Sequence, residues 1–166
     1  MKVGLISDTH GFLDDQVFSY FSDRDEIWHA GDFGTTELAS QLAEFKLLKG
    51  VWGNIDDQQL RNKFPEYELM KLENQLILMI HIAGTPARYS RQVKKLIAQH
   101  QPNILICGHS HILKVIRDPD CQLLYINPGA AGRQGFHRMR TIMRFEIQNT
   151  GIKNLEAIEL GLRGKI

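Results

Sequence analysis

The sequence predicts a mixed α/β sandwich built on more than one sheet. Three observations carry that expectation. Between residues 3 and 107, short apolar runs alternate with amphipathic stretches, the rhythm of strands and helices taken in turn. From residue 112 onward, four strand-like runs follow one another with only turn residues between them. Finally, a chain of 166 residues, 43% hydrophobic and 23% charged, can bury about 70% of its surface on folding, so its core needs neither disulfides nor a structural metal.

Along the chain, residues 3–7 read as a strand and 13–21 as a helix. Residues 26–29 form a second strand, followed by a helix over 36–45 that Thr35 is placed to cap. Residues 46–52 read as a third strand. Beyond Pro65, segments 67–72 and 75–80 flank Glu73-Asn74 and predict a hairpin. A basic amphipathic helix spans 90–100, and the next strand is 103–107. Residues 112–117, 122–127, 140–148 and 152–160 read as strands. Asp118-Pro119-Asp120, Asn127-Pro128-Gly129 and Asn149-Thr150-Gly151 supply the turns between them. No repeat, low-complexity tract or linker divides the sequence, so a single domain over 1–166 is expected.

Composition narrows the classes of function. Twenty Lys and Arg against 19 Asp and Glu leave a net charge of +1, which gives no nucleic-acid signature and no basic surface for a membrane. Two cysteines make no disulfide framework, and Cys107, closing the apolar run 104–106, reads as a buried thiol. Met1-Lys2 leads straight into the first apolar run, too early for a signal peptide, and the longest apolar run, 76–80, is far short of a membrane span. A cytoplasmic, reducing location is the expectation.

The chemistry concentrates where apolar runs end. Five of them close on polar clusters: Asp8-Thr9-His10-Gly11, Gly31-Asp32, Gly53-Asn54-Ile55-Asp56, His81, and Gly108-His109-Ser110-His111. In open α/β sheets ligands bind beyond the carboxyl ends of the strands, so groups placed there by five strands converge on one crevice. Carboxylate, amide oxygen and imidazole are the donors that suit Mn²⁺, Fe²⁺, Ni²⁺ or Zn²⁺. Residues two apart in an extended chain point the same way, so Asp8 and His10 can face one ion, and His109 and His111 can face one site. Taken singly, each cluster has an ordinary reading as a turn or a core histidine. Together, Asp8, His10, Asp32, Asn54, His81, His109 and His111 are more donors than one ion needs, and two ions sharing a carboxylate would use them all.

Asp8-x-His10, Gly31-Asp32, Gly53-Asn54, His81 and Gly108-His109-x-His111 resemble the five motifs of the calcineurin-like metallophosphoesterases. The length and the Asn127-Pro128-Gly129 turn are similar to the small bacterial and archaeal phosphodiesterase branch. The resemblance implies two mixed β-sheets packed as a sandwich with flanking helices. It implies two divalent metal ions, with manganese favoured over iron, nickel or zinc: one held by Asp8, His10, Asp32 and His111, the other by Asp32, Asn54, His81 and His109. Asp32, Asn54 and His81 would matter most for turnover. The implied reaction is hydrolysis of a small phosphoester by a water activated between the ions. Two positions depart from the family pattern. Ile55-Asp56 stands where many relatives carry His-Glu, which leaves an acid or phosphate contact unfilled. His81 is followed by Ile82-Ala83-Gly84 rather than directly by Gly, which alters the pocket rim.

Other residues have weaker claims. His29 orients a ligand or serves the fold, Asp56 and Asp57 read as a solvated loop or the pocket mouth, Arg88 as a surface arginine or a phosphate contact, and His100 as a helix-end residue. Arg133, His137, Arg138 and Arg140, beside Phe136, form an anion patch, a turn, or a contact between copies in a homo-oligomer. Trp28, Trp52 and Phe136 line a pocket or fill the core, the core being the usual place for aromatic residues at strand positions. A protein-contact scaffold on the same fold would predict a lost ligand, and all seven positions carry donors. A nucleotide-binding module would want GxGxxG or a P-loop, and neither is present.

Overall fold

The computed structural model describes residues 1–164. Two five-stranded sheets face each other. In the first, the order is β12 (Gly151–Leu162), β11 (Met139–Gln148), β1 (Lys2–Ile6), β2 (Glu26–His29), β3 (Leu47–Gly50). In the second, it is β4 (Tyr67–Leu72), β5 (Gln75–Ile80), β8 (Ile104–Ile106), β10 (Leu123–Pro128), β9 (Leu113–Asp118). The central strands β1–β2–β3 and β5–β8–β10 run parallel. β11, β4 and β9 pair antiparallel with them and β12 with β11, so both sheets are mixed. Helices α1 (Gln16–Tyr20), α2 (Thr36–Phe45) and α3 (Gln58–Lys63) lie against the first sheet, and α4 (Arg91–His100) against the second.

Side-chain alternation explains the layering. Val3 and Leu5 of β1 point between the sheets, where they meet Ile77 and Met79 of β5, Ile104 and Ile106 of β8, and Phe145 of β11. Ile6 points outward, among Val17, Leu38 and Leu42 of the helices and Phe21 just after α1. Leu78 and Ile80 likewise point out to Val93 and Leu96 of α4. That is the period of two that a strand imposes. Each sheet is thus apolar on both faces, which is why its central strands read as unbroken hydrophobic runs.

Most elements stand where the sequence puts them, and the hairpin of β4 and β5 turns through Glu73 in a left-handed conformation. Thr35 caps α2 by accepting from the Leu38 amide at 3.2 Å. The first helix is shorter than the expected 13–21, because the Asp14 carboxylate accepts from the Gln16 amide and holds residue 14 in a turn. The third strand narrows to four residues. Helix α3 was not anticipated; its signal was Asp57, whose carboxylate caps the Leu60 amide at 3.0 Å. Nor was a small ribbon of β6 (Gly84–Thr85) and β7 (Arg88–Tyr89). Both cysteines are free, and no helix among the described residues is long and apolar enough to cross a membrane.

Candidate metal centre

Five parallel strands, β1, β2, β3, β5 and β8, deliver their carboxyl ends to one edge of the sandwich, and all seven donor residues lie just beyond those ends. The loops are stitched by backbone hydrogen bonds: the Asp8 amide to Gly31 oxygen at 3.0 Å, His10 amide to Asp32 oxygen at 3.1 Å, and Gly108 amide to His81 oxygen at 3.1 Å. Packing is tight enough that a Cβ on Gly31, which has a φ of +98°, would overlap the His81 ring, and one on Gly108 would overlap Ser7.

Backbone strain collects here as well. Asp8, His10, Asp32, His109 and His111 have φ of 52°, 49°, 58°, 67° and 58°, a region that L side chains rarely adopt. Each such residue costs about 1–3 kcal/mol and persists only where the surroundings dictate it. That five of the seven candidates are held this way marks the edge as a built site.

The donor atoms converge. His111 Nε2 lies 3.2 Å from Asp8 Oδ1 and 3.3 Å from His10 Nε2. Asp32 Oδ2 lies 3.3 Å from His81 Nε2 and 3.8 Å from His10 Nε2. Asn54 Oδ1 lies 3.1 Å from His81 Nε2 and 2.8 Å from His109 Nδ1. Two triads, Asp8–His10–His111 and Asp8–Asp32–His81, each have donor atoms within 4.8 Å of one another. Asp32 therefore stands between His10 and His81, and Asp8 belongs to both triads. The arrangement has two lobes joined through buried carboxylates.

Hydrogen bonds behind the donors fix which atoms face inward. His81 Nδ1 is 2.7 Å from the Ala30 carbonyl, which only accepts, so Nδ1 carries a proton and Nε2 is the ring nitrogen that faces Asp32 and Asn54, donating to Asp32 when the ring is charged and free to ligate a cation when it is neutral. The same logic runs through two rings at His111. His137 Nε2 donates to the Gly132 carbonyl at 3.0 Å, its Nδ1 then accepts from His111 Nδ1 at 3.2 Å, and the His111 Nε2 lone pair faces Asp8. Ser7 Oγ donates to Asp8 Oδ2 at 2.6 Å, and the His109 amide reaches both Asp8 oxygens at 3.1 Å. The Ile55 amide donates to Asp32 Oδ1 at 3.0 Å.

Charge in the site follows from burial and the two carboxylates. Burial holds His10 below its usual pKa against the pull of Asp32 and Asp8, and burial together with His81 does the same to His109. Burial also opposes protonation of His81, but the Asp32 hydrogen bond and the Asp8 charge outweigh it and raise that pKa. Burial pushes Asp32 up, and His81 with the Ile55 amide more than offsets it, leaving the carboxyl low. The two carboxylates draw positive charge, and the inward ring nitrogens, deprotonated on binding, make a donor set that fits divalent cations.

The secondary candidates divide. His29 is fully buried and stacks on Phe33 at 3.6 Å; its Nδ1 accepts from the Gly31 amide and its Nε2 bonds Thr9 Oγ1 at 2.9 Å, so it braces the loop carrying Asp8 and His10 rather than touching a donor. Asp56 is not in a solvated loop. It is 2% exposed and accepts from the Gly34 and Gly53 amides at 2.9 and 2.8 Å, tying the Asp32 loop to the Asn54 loop. The Arg133 and Arg140 guanidiniums lie over the Phe12 ring at 4.0 and 5.2 Å, and Arg140 pairs with Asp14 at 2.7 Å, so these two build the fold rather than an anion patch. Arg88 is exposed on β7, and Trp28 is core while Trp52 is half-buried. Sequence reasoning missed the His137 relay and Asn127, whose buried amide donates to Gly108 oxygen at 2.8 Å and Ser110 Oγ at 3.1 Å to hold the His109–His111 turn. Its place in Asn-Pro-Gly had suggested only a turn.

Comparison with known proteins identifies the family and the fold. The model of the calcineurin-like phosphoesterase superfamily domain matches residues 1–150. A curated relative from Methanothermobacter thermautotrophicus, named "Probable metallophosphoesterase", is 30% identical over 135 residues, covering 78% of this chain and 77% of that one. Among solved structures, an archaeal phosphodiesterase superposes with a TM-score of 0.77 at 19% identity, covering 96% of this chain and 100% of that one. A wild-type Vps29 from Entamoeba histolytica complexed with zinc gives 0.70 at 21% identity, covering 96% and 99%. At these identities the structural likeness speaks for the fold.

Proposed function

Since the chain belongs to the calcineurin-like phosphoesterase superfamily, we propose that it is a phosphodiesterase working with two divalent cations held by Asp8, His10, Asp32, Asn54, His81, His109 and His111. The observation that carries this reading is the convergence of all seven side chains on one two-lobed cluster with carboxylates between the lobes. Cations bound there would polarise the phosphoryl oxygens and lower the pKa of a water towards about 7. The protein's part is to hold the donors rigidly. Ser7 and the His109 amide fix the Asp8 carboxylate, the Ile55 amide fixes Asp32, and Ala30 and His137 fix the tautomers of His81 and His111.

The leaving group receives less help. Position 55 carries an exposed isoleucine, and the neighbouring Asp56 is committed to two backbone amides. With no acid at that place, esters whose leaving groups depart without protonation are favoured. Manganese-loaded protein should therefore turn over bis-p-nitrophenyl phosphate faster than a simple alkyl phosphomonoester. Equal or faster turnover of the alkyl ester would contradict the phosphodiesterase assignment, and loss of neither activity with chelator would contradict the metal.

A further inference from the structure

The described residues line a half-open cavity of about 270 Å³ that shares two walls, Asn54 and His81, with the metal cluster. Trp52, Ile80 and Ile82 make its apolar side, and Glu66 is the one charged residue other than His81 among the described residues lining it. The register Tyr67↔Ile80 sets Glu66 beside His81, at the end of the strand pair. Arg61 stacks over the Trp52 ring at 4.6 Å and so steadies the indole.

Ile82, which lines the cavity, is 42% exposed, and Ile55 and Ile112, each directly after a donor residue in the chain, are 46% and 63% exposed. Large aliphatic side chains left in water beside a polar cluster gain free energy when an apolar group covers them. A volume near the lower limit of ligand pockets suits one ring system rather than an extended chain.

We infer that this cavity receives the organic substituent of the phosphoester, and that it selects an uncharged aromatic ring, an aryl group or a nucleobase, over small alkyl groups and over substituents bearing further negative charge. The inference rests on the phosphoesterase reading of the adjoining cluster. Trp52 and Ile82 supply the apolar contact for the ring, and the exposed Glu66 carboxylate, which lines the same cavity, repels a second anion.

Binding of phosphonates tests this without turnover. With full-length manganese-loaded protein, titration calorimetry should give phenylphosphonate at least about tenfold higher affinity than methylphosphonate, with 4-carboxyphenylphosphonate losing most of that gain. Ile82→Glu, at an exposed position, should bring the phenyl-to-methyl ratio towards one, and Glu66→Gln should restore binding of the carboxylated ring. Equal affinities for phenyl and methyl, or a ratio untouched by Ile82→Glu, overturn the inference alone. Failure of every phosphonate to bind, together with no hydrolysis of any phosphodiester, overturns the underlying reading and the inference with it.

Discussion

The carboxylate of Asp32 reaches toward imidazoles on both sides, His81 at 3.3 Å and His10 at 3.8 Å. Replacing it by Asn keeps the shape and removes the charge that two cations would share. Asp32→Asn should therefore bring phosphodiester turnover to background and lower bound manganese, read by metal analysis after gel filtration. Near-normal turnover with unchanged metal content would refute the shared-ligand role. Asn54→Ala should weaken one lobe more than the other, visible as two separated steps in a manganese titration. His137 touches no donor lone pair directly, yet its ring dictates where His111 carries its proton. His137→Ala should lower manganese affinity by about 10- to 100-fold. His137→Gln, which can still offer an oxygen acceptor, should recover part of it, whereas a merely space-filling role would respond to both alike. Their pairing was not legible from local sequence, since residues 111 and 137 meet only through the fold.

Strands made themselves visible because their central members are apolar on both faces, and their polar ends fell on the donors for the same reason: the hydrophobic run stops where the chain leaves the sandwich. Short elements stayed hidden. The six residues of α3 and the two-residue strands β6 and β7 carry too little periodicity to register. The loop ties were equally hidden, because an aspartate in a Gly-rich stretch looks solvated until the partner amides arrive from another loop. Asp56 is the clearest case. Asp56→Ala leaves the Gly34 and Gly53 amides without their acceptor and should cost about 2–4 kcal/mol of stability, seen as a lower denaturation midpoint at unchanged slope. Because those amides belong to the loops of Asp32 and Asn54, manganese affinity should fall with it. A stability loss with unaltered metal binding would show that the two loops keep their relation without the strap.

Five loops, five left-handed donor residues and two buried carboxylates all draw together at one edge of the sandwich, so the folded chain should be incompletely stabilised until cations fill the edge. Ligands that bind only the native state raise its stability by mass action, about 2.7 kcal/mol at one hundred times the dissociation constant. For a chain of this length that corresponds to a rise in melting temperature of roughly 5–10 °C, reversed by chelator. The most direct measurement is the metal content of the full-length protein equilibrated with manganese, determined alongside its structure in that state. The account predicts two manganese ions per chain, lying among the seven side chains of residues 8, 10, 32, 54, 81, 109 and 111. A single ion, no ion, or ions bound elsewhere with these donors left unused would contradict it.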